Sequence, residues 1–248
     1  MDSDEHIDPL DTIRLVMGIF IGLILTWGIV SLAFPHEIKK TAEEMNPIMF
    51  LFNTFTFQVI ILTVVGVFFK LNNLSLVKVF GFKNSSVALV LLCGLLGYIV
   101  FLPLGLQLQK IVIILIKTFI GDAIPVESQM VVKILQREIP TGYKILIGIS
   151  TVILAPISEE ILFRGLLYNA VKNAGYPLVA LYGVSLFFGV IHNNAIAMLP
   201  LAFFGVILTV VYEITGNLLA PIITHSLFNL TNYCILMLNL NWEMILNK

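Results

Sequence analysis

Residues 15–34, LVMGIFIGLILTWGIVSLAF, run for twenty positions without a charged side chain. A run of about 20 apolar residues crosses the hydrocarbon of a bilayer as a helix, because a helix satisfies its backbone N–H and C=O groups within its own segment. The same reading applies to 48–69 and 87–106, and 145–157 begins another run that continues into charged residues. Segments 178–192, 195–212 and 218–238 complete seven candidates, with 111–120 a short eighth that would be tilted or interfacial. The expectation is an all-α polytopic transmembrane helical bundle of seven or eight spans.

Composition agrees. Of the 248 residues, 58% are hydrophobic and only 12% charged, about half the charged fraction of a soluble domain. Mean hydropathy is +1.00. Fourteen Lys and Arg against fifteen Asp and Glu give a net charge of −1 with no basic cluster, which excludes the concentrated positive charge that a nucleic-acid partner requires. Cys93 and Cys234 both lie in apolar runs and are expected as reduced, structural thiols. Asp2, Asp4, Glu5, Asp8 and Asp11 precede the first apolar run with Arg14 the one basic residue among them. A cleavable leader starts positive, so the first helix reads as a retained anchor. The stretch 125–139, PVESQMVVKILQREI, sets Val126, Met130, Val131, Ile134 and Leu135 among polar residues, a spacing suited to a helix on the membrane surface or on a partner helix, or to a solvated connector.

The chemistry lies in the last hundred residues, because charges there are so few. Between 145 and 238 the charged residues are Glu159, Glu160, Arg164, Lys172 and Glu213. A charge at a helix centre costs roughly 2.5–3.5 kcal/mol on insertion scales, so such groups pair or line a wet cavity. In SEEILFRG, Glu160 and Arg164 stand at i and i+4 with the acid first, the better order for pairing. Glu159, rotated by about 100°, is left free to face a cavity as a general base. Pro156 is expected to kink the helix ahead of them. Phe188 with His192 and His225 with Asn229 repeat the i, i+4 spacing on two further helices. Glu with His can take a proton from water, and His and Asn can donate to a developing oxyanion. By contrast Glu213 reads as an interface residue and Lys172 as a loop charge.

The motifs EExxxR (Glu159, Glu160, Arg164), FxxxH (Phe188, His192) and HxxxN (His225, Asn229), in that order, resemble the signature of the CAAX prenyl endopeptidase family in its bacterial CPBP or Abi branch. The resemblance covers about residues 143–238. It implies a glutamate-dependent intramembrane endopeptidase in which Glu159 and His192 activate water. His225 and Asn229 would stabilise the tetrahedral intermediate, and Arg164 would hold Glu160 to brace the motif helix. Bacterial members are associated with peptide maturation, bacteriocin immunity and control of signalling proteins. Glu159, His192 and His225 could hold zinc with an open position. Without a helical HExxH pair, and with Asn a poor zinc ligand, catalysis without a cofactor is favoured. HExxH, GxSG and GxGD signatures of other proteases are absent from the sequence.

The expected organisation is an acidic tail over 1–14, membrane helices and the amphipathic connector over 15–142, a catalytic membrane domain over 143–238 and a tail over 239–248. The expected setting is a bacterial plasma membrane, with the bilayer and a membrane-associated peptide or protein substrate as partners. Two other functions fit parts of the pattern. One is a non-catalytic membrane regulator that holds a sensor kinase or another membrane protein. The other is a proton-coupled transporter using the carboxylates and histidines as a relay.

Overall fold

The computed structural model describes residues 7–35, 46–119, 130–238 and 240. Among the described residues nine helices and no strand are present: α1 (Pro9–Ala33), α2 (Pro47–Leu71), α3 (Leu76–Val79), α4 (Val87–Phe119), α5 (Met130–Leu135), α6 (Thr141–Asn173), α7 (Pro177–Val190), α8 (Ala195–Thr215) and α9 (Leu219–Met237). The chain is an all-α polytopic helical bundle.

Local sequence sets the helix starts. Asp8 and Asn46 accept hydrogen bonds from the N–H groups of Leu10 (2.8 Å) and Ile48 (2.9 Å). Pro9 and Pro47 then occupy the first helical position, where a missing N–H costs nothing. Asn194 caps α8 through Ala197 N–H at 2.9 Å. That helix ends at Gly216, whose φ of 57° is the left-handed conformation a glycine adopts freely.

Helices α1, α2, α4, α6 and α8 are long and apolar enough to cross a membrane. The two remaining candidates differ for physical reasons. With fourteen residues, α7 rises about 21 Å, short of the ~30 Å hydrocarbon thickness. The nineteen residues of α9 include His225, Asn229 and Asn232 and are less apolar. Segment 111–120 adds no eighth span. Through Phe119 it is the C-terminal part of the 33-residue α4, because Pro103 is accommodated within that helix and nothing after it breaks the apolar run.

Of the amphipathic stretch 125–139, residues 125–129 lie outside the described residues. Ile134 and Leu135 are buried against Leu51 and Ile147, with Val131, Tyr143 and Tyr233 around them, so this part packs on neighbouring helices. The tail residues Asp2, Asp4 and Glu5, and segment 241–248, also lie outside the described residues. Both cysteines are free.

The centre of the bundle is built on α8, which packs against α7 and α4, while α4 also receives α9. Rings from four helices fill this core: Phe101, Phe163, Phe188 and Phe204 are all buried. The approach of α7 to α8 depends on Gly205. A Cβ there would stand 2.9 Å from both Cα and Cβ of Ser185. Gly205→Ala should therefore destabilise the protein by about 1–3 kcal/mol, the usual cost of overpacking. A lowered thermal midpoint in detergent would show it, and an unchanged midpoint would mean that the two helices part without cost.

Candidate active site

Helix α6 carries the first motif near its middle and departs from regular α geometry on either side of it. Residues Ser150–Leu154 and Ile161–Tyr168 are π-helical, a widening of the turn that is common at functional sites. Pro156 thus acts after a widened turn, where the sequence reading expects a kink: Ala155 N–H reaches back five residues to Ser150 O. A buried side chain from α2 steadies this turn. Gln58 Nε2 donates to Ser150 O (3.1 Å), and Ser150 Oγ donates to Gln58 Oε1 (3.1 Å).

At the heart of the site Glu160 is fully buried, and its Oε1 accepts from Arg164 Nη1 at 3.0 Å and from His225 Nδ1 at 2.8 Å. Arg164, also fully buried, donates through Nη2 to Gly205 O at 2.9 Å. Its guanidinium lies 4.9 Å from the centroid of the Phe188 ring, so the cation meets a carboxylate, a carbonyl and an aromatic face. The imidazole of His225 is clamped edge-on by Phe204 (5.4 Å) and Phe188 (5.8 Å).

A carboxylate only accepts, so His225 Nδ1 carries its proton toward Glu160 and Nε2 presents a lone pair. That nitrogen faces Glu159 Oε2 across 3.9 Å. The gap is too long for a direct hydrogen bond and short enough for one water molecule to touch both groups. Glu159 Oε2 is buried and makes no hydrogen bond among the described residues, while the Glu159 side chain as a whole keeps 16% of its surface exposed.

His192 lies in the turn between α7 and α8. Its Nδ1 bonds Phe188 O at 2.7 Å, which fixes the proton on Nδ1 and leaves Nε2 bare. Its ring is 4.8 Å from that of Phe188. Phe188 is thus the partition that both imidazoles touch. Asn229, one turn beyond His225 on α9, donates from Nδ2 to the backbone carbonyl of Thr151 at 2.8 Å.

Glu159, Glu160, Arg164, His225 and Phe188 therefore form one cluster. His192 joins it through Phe188, and Asn229 is attached nine residues upstream of Glu160 on α6. Among the described residues no three His, Cys, Asp or Glu side chains are grouped to hold a metal ion. The set Glu159, His192 and His225 is thus not grouped as zinc ligation requires.

Several contributors escape the sequence reading. Gln58 could have been found, since an amide in the middle of an apolar run carries the same signal as the histidines do. The Gly205 carbonyl and the Phe204 wall have no such mark. Lys172 and Glu213, read separately as a loop charge and an interface residue, form an ion pair at 2.6 Å, joining the end of α6 to the end of α8.

Comparison with known proteins bears on this cluster. Residues 141–231 match the family model described as "Type II CAAX prenyl endopeptidase Rce1-like". A curated relative, an uncharacterized protein of Mycoplasma capricolum subsp. capricolum, is 26% identical over 184 residues, which cover 73% of this chain and 54% of the relative. The chain thus spans about half the length of the curated relative it matches. No solved structure matches. The matched segment contains all three motifs that form the cluster, so the likeness to the Rce1-like CAAX prenyl endopeptidases falls on the residues that build the site.

Proposed function

We propose that this protein is an intramembrane endopeptidase that hydrolyses a peptide bond in a membrane-associated protein or peptide, in a bacterial plasma membrane. The observation that carries the reading is the facing pair of Glu159 Oε2 and His225 Nε2, 3.9 Å apart. Both are acceptors, one a carboxylate oxygen that makes no hydrogen bond among the described residues and one a lone pair held in place by Glu160. The likeness of residues 141–231 to the CAAX prenyl endopeptidase family model supports the same reaction class.

In this mechanism a water molecule between the two acceptors gives up a proton as its oxygen attacks the scissile carbonyl carbon. The electron pair of the C=O moves onto oxygen, giving a tetrahedral oxyanion. Collapse breaks the C–N bond, and the leaving amine takes a proton from the protonated base. His192, whose Nε2 is left bare by the bond of Nδ1 to Phe188 O, is suited to carry that proton to the amine. The resemblance pairs Glu159 with His192 on the water; the 3.9 Å separation of Glu159 Oε2 and His225 Nε2 supports a reading in which His225 also borders it. Arg164 and Glu160 fix the tautomer and orientation of His225 and do not meet the substrate.

Peptides and membrane proteins from cells carrying the wild type and Glu159→Ala, compared by mass spectrometry, test the proposal. Fragments that are present with the wild type and missing with the variant are expected, and they name the substrate together with its cleavage site. Identical peptide profiles, with full biological activity retained by the variant, would overturn it in favour of a non-catalytic regulator.

A further inference from the structure

We infer that Asn229 is a positioning residue that replaces the backbone donor missing at Pro156 and so sets the register of the helix that presents Glu159. The argument begins with hydrogen-bond accounting along α6. At the end of the widened turn Ala155 N–H bonds the carbonyl five residues earlier, that of Ser150. The next carbonyl, that of Thr151, would look to residue 156, and that residue is proline, which has no N–H. A carbonyl left unpaired in an apolar bundle is costly. Asn229 Nδ2 supplies the absent hydrogen bond at 2.8 Å from across the helix interface.

This attachment has a mechanical consequence. Asn229 and His225 lie one turn apart on α9, and they hold α6 at two points, the Thr151 carbonyl and Glu160 Oε1. Glu159 stands next to the second point. Gln58 fixes the preceding carbonyl, that of Ser150, from the α2 side. The stretch between Ser150 and Glu160 is therefore tied from both flanks, and the gap between Glu159 and His225 is set by those ties. The inference rests on the reading of Glu159 and His225 as the groups that act on water.

The test is a double-mutant cycle between Asn229→Ala and Pro156→Ala in the full-length protein in detergent. Its probe is the peptide identified by Glu159-dependent cleavage. Alanine at 156 returns an N–H at the spacing Thr151 O requires, so a residue that serves that carbonyl becomes dispensable. Asn229→Ala alone should lower kcat by about ten- to hundredfold, the range set by misplacement of reacting groups, with KM within about twofold. In the Pro156→Ala background the same substitution should lower kcat by about threefold or less, and its effect on the thermal midpoint should shrink in parallel. An equal loss of kcat in both backgrounds overturns the inference and makes Asn229 a donor to the reacting atoms. Should Asn229→Ala not accumulate in membranes, accumulation of the double variant sustains the tie and its failure overturns it. The thermal cycle separates this inference from the protease reading. If the wild type cleaves nothing, coupled midpoints still support the tie between Asn229 and Thr151, and additive midpoints reject it.

Discussion

Glu159→Ala is expected to abolish peptide cleavage and to leave the membrane-inserted protein at wild-type abundance. Both halves follow from how this carboxylate is held. Its Oε2 makes no hydrogen bond among the described residues, and the side chain retains partial exposure, so truncation strands no partner in the core. What is lost is the group opposite His225 Nε2, and a positioned general base contributes about 10²–10⁴-fold to rate. His225→Ala should lose activity to the same extent at a greater structural cost, because Glu160 Oε1 then keeps only Arg164 and the rings of Phe188 and Phe204 border a cavity. Glu159→Gln, which keeps the shape and removes the base, should be as inactive as Glu159→Ala. The measurement is initial cleavage rate per mole of folded protein, with thermal midpoints recorded in the same preparations. Substantial cleavage by Glu159→Gln would show that the carboxylate is not the base. An equal fall in midpoint for Glu159→Ala and His225→Ala would indicate a structural network in which neither group has a special claim on water.

The parts of this site that are legible in the sequence are those carried by one helix. Spacing alone places Glu160 above Arg164 and sets Glu159 on another face, and the structure has the pair at 3.0 Å. Spacing also stacks Phe188 on His192. What one helix cannot say is how it is rotated against the next. In a soluble protein an apolar stripe gives that rotation, but helices such as α2 and α7 are apolar all round, and their buried face leaves no pattern. Hence the sequence gives Glu160 to Arg164 and does not reveal that the same oxygen also receives His225. The carbonyl of Thr151 is hidden for a different reason. Pro156 announces that a backbone donor is missing, but which carbonyl it orphans depends on whether the turn is α or π, and that is decided by packing against α2 and α9. The number of spans suffers in the same way, since the residues that make α9 functional are those that lower its apolarity.

Arg164→Ala should destabilise the folded protein more than any other single substitution at the site, by about 3–5 kcal/mol, the usual result of leaving a buried charge without its partner. Glu160 has no exposed surface, and its second oxygen makes no hydrogen bond among the described residues. Compensation of its charge therefore runs through Oε1, shared by Arg164 and His225. Truncation of Arg164 also removes the donor to Gly205 O and the cation over Phe188, which loosens the grip of α6 on α7 and α8. A charge-neutral replacement separates these effects. In Glu160→Gln with Arg164→Met no charge remains to be stranded, and most of the thermal midpoint should return. Cleavage should not return with it. A carboxamide can present its NH₂ to His225 Nδ1, which moves the imidazole proton to Nε2 and removes the lone pair that faces Glu159. Inversion of a catalytic tautomer of this kind costs about 10²-fold or more in rate. Stable but inactive double-variant protein is thus the expected outcome, and it assigns to the Glu160–Arg164 pair two separable tasks, neutralising buried charge and orienting His225. If Arg164→Ala alone folded with an unchanged midpoint, the first task would be void. If the double variant cleaved at the wild-type rate, the second would be.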